Sequence, residues 1–141
     1  MNTIILRGRE IPLLYTTYEM KQIQEEIAPL GEVNYVIFGR NKDDEDDTSL
    51  YGSPGHLEAV GKLIRILGNA GLEEAGETAD LTDKWVMRAL KPAQIVEAVG
   101  KCIEAMNDGM ASEVMDLEKK EDNEPVDVTL EQMKKKKETD G

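Results

Sequence analysis

The chain is poor in the residues that build catalytic and metal sites. Its 141 residues include one cysteine, Cys102, and one histidine, His56. A single thiol cannot form an internal disulfide, and zinc needs several Cys or His ligands. A lone histidine with no recognisable Ser or Cys nucleophile gives no catalytic pair. The composition therefore predicts a protein that is not an enzyme and that carries no metal or cofactor, with His56 at the surface or in a helix cap.

Aromatic residues, long apolar runs and net positive charge are also lacking. Aromatics make up 4% of the chain, so the core must come from aliphatic residues, which favours packed helices. No apolar run approaches the ~20 residues that cross a bilayer, and the first residues do not have the pattern of a signal peptide. The net charge of −12 disfavours nucleic acid and anionic membranes as partners. We expect a cytoplasmic protein.

The first third of the chain carries hairpin and helix signals. Two apolar runs around a glycine turn predict a β-hairpin over residues 3–15, in which Pro12 requires an edge or an irregularity. Thr16 and Glu19 match a capping box that begins a helix over residues 17–28. Residues 33–38 could form a strand or a short buried helix, and the helical neighbours favour a helix.

Longer helices are predicted further on. Ser53 and the proline after it begin the clearest helix, and the glycines and asparagine at residues 68–71 are expected to end it. Thr82 caps a short helix whose main core anchor is expected to be Trp85. Pro92 then begins a second long helix.

These elements predict a mainly α (α+β) fold. A short N-terminal β-hairpin packs on a bundle of about four to five helices, which together form a domain over residues 1–115. Residues 116–141 are almost all charged or polar. Such a segment cannot bury enough apolar surface to offset its ordering entropy, so it is predicted to be a disordered tail.

Two apolar stripes, one on each long helix, are the candidate core and binding faces. Helical spacing places their residues on one side of each helix, but it does not separate core residues from contact residues. The stripes also permit a homo-oligomer. The partner-binding candidates are Leu57, Val60, Ile64, Leu67, Val99, Met106 and Met110.

An acidic run at residues 43–47 invites comparison with a calcium loop. In an EF-hand that begins at Asp43, Thr48 would stand where glycine is needed and Pro54 where the bidentate glutamate is needed, so the pattern fails. The run is expected to be a solvated loop, with weak divalent-ion binding or a basic partner as the alternatives.

The order of the predicted elements is itself informative. A hairpin at residues 3–15 runs directly into a capped helix at 17–28, and a helical body and a charged tail follow. This layout resembles the tail assembly chaperones of long-tailed phages and prophages in Firmicutes-type bacteria. Residues 63–71, 81–85 and 105–110 also resemble small phage structural-module proteins. The resemblance covers residues 1–115.

The resemblance implies a non-catalytic chaperone of the bacterial host cytoplasm. Such proteins bind the tape measure protein and tail tube subunits during tail morphogenesis and are absent from the finished particle. It also gives the four lysines at residues 134–137 a second interpretation, a ribosomal frameshift site, beside that of a charged tail. Two other functions stay open: a structural tail or connector protein retained in the virion, and a small acidic regulatory or antitoxin-like binding module.

Overall fold

The computed structural model describes residues 2–122 and shows the predicted mainly α fold with its N-terminal hairpin. The chain divides into two units, Met1–Met110 and Ala111–Gly141. The core and the surfaces of interest lie in the first unit. The strands and α-helices of the described part are β1 (Thr3–Leu6), β2 (Arg9–Pro12), α1 (Thr17–Glu26), α2 (Val33–Ile37), α3 (Pro54–Glu74), α4 (Asp83–Ala89) and α5 (Ile95–Asp122).

The two strands form an antiparallel hairpin around a two-residue turn. Arg7 (φ 51°) and Gly8 (φ 76°) both adopt positive φ, as a type I′ turn requires. The backbone N–H of Leu13 donates to the oxygen of Asn2 at 2.7 Å, so that pair is hydrogen-bonded. Hydrogen-bonded and non-hydrogen-bonded pairs alternate along an antiparallel ladder, so the next pair, Thr3 with Pro12, is not hydrogen-bonded. Pro12 therefore sits in the strand without losing a ladder bond.

Three of the predicted helix starts are confirmed, whereas α5 begins at Ile95, after a 3-10 turn at Pro92–Gln94. The Thr16 backbone N–H donates to Glu19 Oε1 at 2.9 Å, which completes the capping box of α1. Ser53 Oγ accepts from the backbone N–H of residue 56 at 3.3 Å, and Thr82 Oγ1 accepts from that of Trp85 at 3.1 Å. The segment at 33–38 forms α2, a helix as favoured.

Helix α3 is the centre of the fold, and α1, α2, α4 and β2 all pack on it. The prediction that residues 68–71 end this helix was wrong, because it continues to Glu74. Its glycines serve packing instead: a Cβ at Gly71 would lie 1.9 Å from the backbone oxygen of Pro12. Asn69 holds the chain that returns to α4, accepting from the Leu81 N–H at 2.9 Å and donating to the Leu81 oxygen at 3.1 Å.

Most of the predicted binding stripe is core, which corrects the candidate set. A helix packed on several sides buries residues well beyond one stripe, and α3 buries Ala59, Leu63, Ile66 and Leu72 as well. Leu57 is half-buried against the core, and only Met110 is well exposed, at 60%. The candidates that the structure buries are Val60, Ile64, Leu67, Val99 and Met106.

Trp85 is not the main anchor of α4. It is only partly buried and packs at the edge of the core, with the Arg9 guanidinium 5.9 Å from its ring centroid. Val86, the next residue, is completely buried and anchors the helix. A second contact of α4 is electrostatic. Arg65 of α3 donates to Asp83 Oδ1 at 2.5 Å and also pairs with Glu26, which links α4 and α1 to α3.

The end of α5 overlaps the predicted tail. The helix continues to Asp122, which lies within the segment that the sequence assigns to the tail. Residues 123–141, which include the lysines at 134–137, lie outside the described residues. None of the helices described is both long and apolar enough to cross a membrane.

The buried thiol of α5 gives a direct test of the core. Burial raises the pKa of Cys102 from its ordinary value of 9.0 to about 12. Because the thiolate is the reactive species, native protein is expected to resist a thiol reagent at pH 8 and to react fully in guanidinium chloride. The thiol keeps its proton to a higher pH in the native state than in the unfolded chain. The free energy of unfolding should therefore fall as pH rises from about 9 to 12. Rapid labelling of the native protein would contradict this packing.

Candidate binding surface

His56 is a buried structural residue, which corrects the prediction of a surface or capping position. Its side chain is only 3% exposed at the start of α3. Nδ1 lies 2.9 Å from the backbone N of Gly52, and Nε2 lies 3.0 Å from the oxygen of Ile37. An N–H can only donate and a carbonyl can only accept, so Nδ1 accepts and Nε2 carries the proton. The imidazole thus clamps the loop before α3 to the end of α2.

The loop between α2 and α3 is held close at a second point. Gly39 has φ 67° and follows α2 directly, so it suits a left-handed turn. A Cβ at Gly39 would lie 2.7 Å from Tyr51 Cα and 3.2 Å from the His56 ring. The two ends of the loop therefore touch, which closes the loop.

The closed loop and the turns on either side of α2 carry exposed apolar side chains. Four large apolar residues there are between 38% and 46% exposed, although the chain has only six aromatic residues in all. We call this the α2-loop surface. It comprises Leu30, Phe38, Leu50 and Tyr51.

Two shallow grooves adjoin the α2-loop surface, one at Leu50 and one at Phe38. One has a volume of about 390 Å³, and its apolar wall includes Ile27, Val36 and Leu50. The other, of about 380 Å³, is lined by Tyr35 and Phe38 among others. Arg40 lines both, so the two grooves are neighbours with a cationic side chain at their shared boundary. Two adjacent shallow, half-apolar depressions suit a protein segment better than a compact small molecule.

The acidic run follows this surface along the loop as an acidic rim, with Glu45 lining the second groove, and its own side chains hold its backbone. Asn41, Asp44 and Asp47 each accept a hydrogen bond from the backbone N–H two residues on, at 2.9, 3.1 and 2.9 Å. Asp47 also accepts from the Asn41 amide at 3.3 Å. The Ser49 N–H is the main cause that lowers the pKa of Asp47. Three side chains of the loop thus shape its backbone, as such residues do in turns.

The remaining acids of the run face solvent. Asp43, Glu45 and Asp46 are exposed, and none of them forms an ion pair within the described part of the chain. Lys42 is engaged with Glu32 at 3.0 Å. In residues 2–122, no group of three or more His, Cys, Asp or Glu side chains is placed to hold a metal ion. The rim therefore offers negative charge to whatever occupies the grooves.

Sequence reasoning missed the residues of this surface. Helical periodicity identifies stripes on long helices, whereas these exposed apolar residues lie in a loop and in the turns on either side of α2. One signal was available: Leu50 and Tyr51 stand at the end of a strongly acidic loop, where nothing in the local pattern requires apolar side chains. Residues of this type in a polar loop often mark contact sites.

In comparisons with known proteins, no family model, curated protein or solved structure matches the chain.

Proposed function

We propose that the chain is a non-catalytic tail assembly chaperone that holds the tape measure protein and brings tail tube subunits to it. The α2-loop surface is the observation that carries the binding part of this proposal. The chaperone part rests on the resemblance of the hairpin, the capped helix and the helical body. The site of action is the cytoplasm of the bacterial host.

The chemistry of the surface specifies the kind of segment that it binds. Phe38, Leu50 and Tyr51 offer apolar contact area at little cost in side-chain entropy. The acidic rim favours a segment whose apolar residues are flanked by lysine or arginine. An amphipathic helix in a shallow groove satisfies both requirements, and a long helical protein supplies many such segments.

Solubility of the tape measure protein tests the proposal. The Phe38→Ser/Leu50→Ser variant replaces exposed side chains that line the two grooves, so it should fold while losing contact area with the partner. We expect wild-type protein to raise the soluble fraction of the co-expressed tape measure protein, and the variant to lose most of that effect. Tyr18→Ser is the matched control, because Tyr18 is 64% exposed on α1, away from the surface. It should act like wild type.

Two results would contradict the proposal. Equal solubility of the tape measure protein with and without the chain would contradict the chaperone function. Equal losses in Tyr18→Ser and the double variant would contradict binding through the α2-loop surface. Mass spectrometry of purified particles distinguishes a chaperone from a structural tail or connector protein, because a chaperone should be missing from the particles. Pull-down of a promoter-binding protein or a toxin would favour the regulatory module instead.

A further inference from the structure

The hairpin has one covered edge and one open edge. The outer edge of β2 packs on α3, where the oxygen of Pro12 lies against Gly71 and the Leu14 N–H donates to the Leu67 oxygen at 3.1 Å. The outer edge of β1 has no strand beside it, because the sheet of the described residues contains only these two strands. An open edge presents unpaired backbone donors and acceptors.

The pairing register identifies which groups are open. The pairs that contain Leu6 and Ile4 are hydrogen-bonded across the hairpin, since they alternate with the bonded Asn2 pair. The N–H and C=O groups of Thr3 and Ile5 therefore point away from β2. Neither residue has another hydrogen bond within the part of the chain that is described. Four backbone groups are thus available on this edge.

The residue types that usually protect an exposed edge strand from pairing lie in β2, whose edge is covered, and not in β1. Charged residues and proline discourage pairing, and Arg9, Glu10 and Pro12 all belong to the covered strand β2. The open strand β1 reads Thr-Ile-Ile-Leu, and its Ile5 is 59% exposed. A sequence of this type favours an added strand over solvent.

We propose that β1 pairs with β1 of a second copy of the chain, which makes a two-fold symmetric dimer with a four-stranded sheet. Antiparallel pairing about Ile4 places Thr3 of each copy opposite Ile5 of the other copy. Both are then hydrogen-bonded pairs, so four backbone bonds form and all four open groups are used. An edge that pairs with itself in this way gives a closed dimer rather than a filament.

Charge complementarity favours a second copy over an unrelated strand. Arg7 lies at one end of β1, exposed and without an ion pair among the described residues. Asp108 of α5 lies at the other end, where its carboxylate accepts from the Asn2 amide at 2.8 Å. Antiparallel pairing brings Arg7 of each copy to Asp108 of the other. The contact therefore occurs twice, although the chains repel each other in net charge.

The groove beside the edge leaves room for this arrangement. It has a volume of about 260 Å³ and lies between β1 and the first turns of α5, with Ile4 and Ala98 on its apolar side. Glu97 and Lys101, one helical turn apart, form the polar side.

Sedimentation of the full chain over a range of concentrations tests the dimer. We expect a reversible monomer–dimer equilibrium in the micromolar range for the wild type, as is usual for small interfaces. Ile5→Pro removes an outward N–H without breaking a bond inside the hairpin, and it deletes two of the four backbone bonds of the dimer. It should be monomeric. Ile5→Thr keeps the N–H and the branched side chain, so it should still dimerise.

A charge reversal provides a second test that leaves the strand intact. Arg7→Glu should weaken dimerisation about tenfold, since two exposed ion pairs become two repulsions. Adding Asp108→Arg to that variant should recover most of the loss. A wild type that stays monomeric up to several hundred micromolar would overturn the proposal, whether or not the edge takes a strand from another protein. A dimer unaffected by Ile5→Pro and Arg7→Glu would overturn it too. Neither result bears on the α2-loop surface.

Discussion

Replacing Gly71 by alanine should cost about 3 kcal/mol or more of unfolding free energy, or prevent folding altogether. The added Cβ would lie 1.9 Å from the Pro12 oxygen, 2.4 Å from the Pro12 carbonyl carbon and 3.0 Å from the Leu13 nitrogen. All three are backbone atoms, so no side chain can turn away. The hairpin would have to move off α3, which would expose the core beneath it. Urea denaturation followed by circular dichroism measures the loss.

Gly100→Ala is the control for this prediction. Gly100 lies in α5, and nothing would come within 4 Å of an added Cβ there. Alanine is the better helix former by about 1 kcal/mol, so this variant should be as stable as the wild type or more stable. Gly61→Ala should fall between the two, because the tight contacts of its Cβ would be with the flexible and partly exposed side chain of Met87, and the Asp83 oxygen lies at 3.9 Å. Similar stabilities of Gly71→Ala and Gly100→Ala would contradict the close contact between the hairpin and α3.

Gly71 also shows where sequence reasoning succeeds and where it stops. Capping boxes, a glycine turn between β-branched runs and a proline at a helix start are local signals, and the hairpin and helix starts followed from them. Whether a glycine ends a helix or admits a neighbouring backbone depends on a chain segment some sixty residues away in the sequence. The same residue type serves both purposes, so α3 was predicted to end too early.

The candidate site was harder to predict than the fold for a related reason. Helical spacing identifies a buried stripe, but it cannot show that α3 is packed from several directions and has little face left for a partner. Val60, Ile64 and Leu67 are therefore core residues. The exposed apolar residues, such as Leu50, lie where no periodicity exists. Their position depends on a loop that the His56 imidazole joins to the end of α2, a contact that no local pattern predicts.

Removing that imidazole is the second change with a large expected effect. His56→Ala should lower the unfolding free energy by about 3 kcal/mol, because it leaves a cavity and strips the Ile37 carbonyl of its side-chain partner in a buried position. The Gly52 N–H, which donates to His56 Nδ1, should lose its protection from hydrogen exchange. The loop that carries Leu50 and Tyr51 would then be ordered less well. Binding through the α2-loop surface should fall together with stability.

His56→Gln separates the effect of the two His56 hydrogen bonds from the effect of the volume that the side chain fills. A glutamine amide can still donate to the Ile37 oxygen, but it cannot also accept from Gly52 in the geometry of the ring. It should recover part of the stability while the Gly52 N–H stays unprotected. Hydrogen exchange measured by NMR at neutral pH distinguishes the two bonds. Unchanged protection of Gly52 in both variants would show that the loop closes without His56, and the Gly39–Tyr51 contact would then be what holds the surface in place.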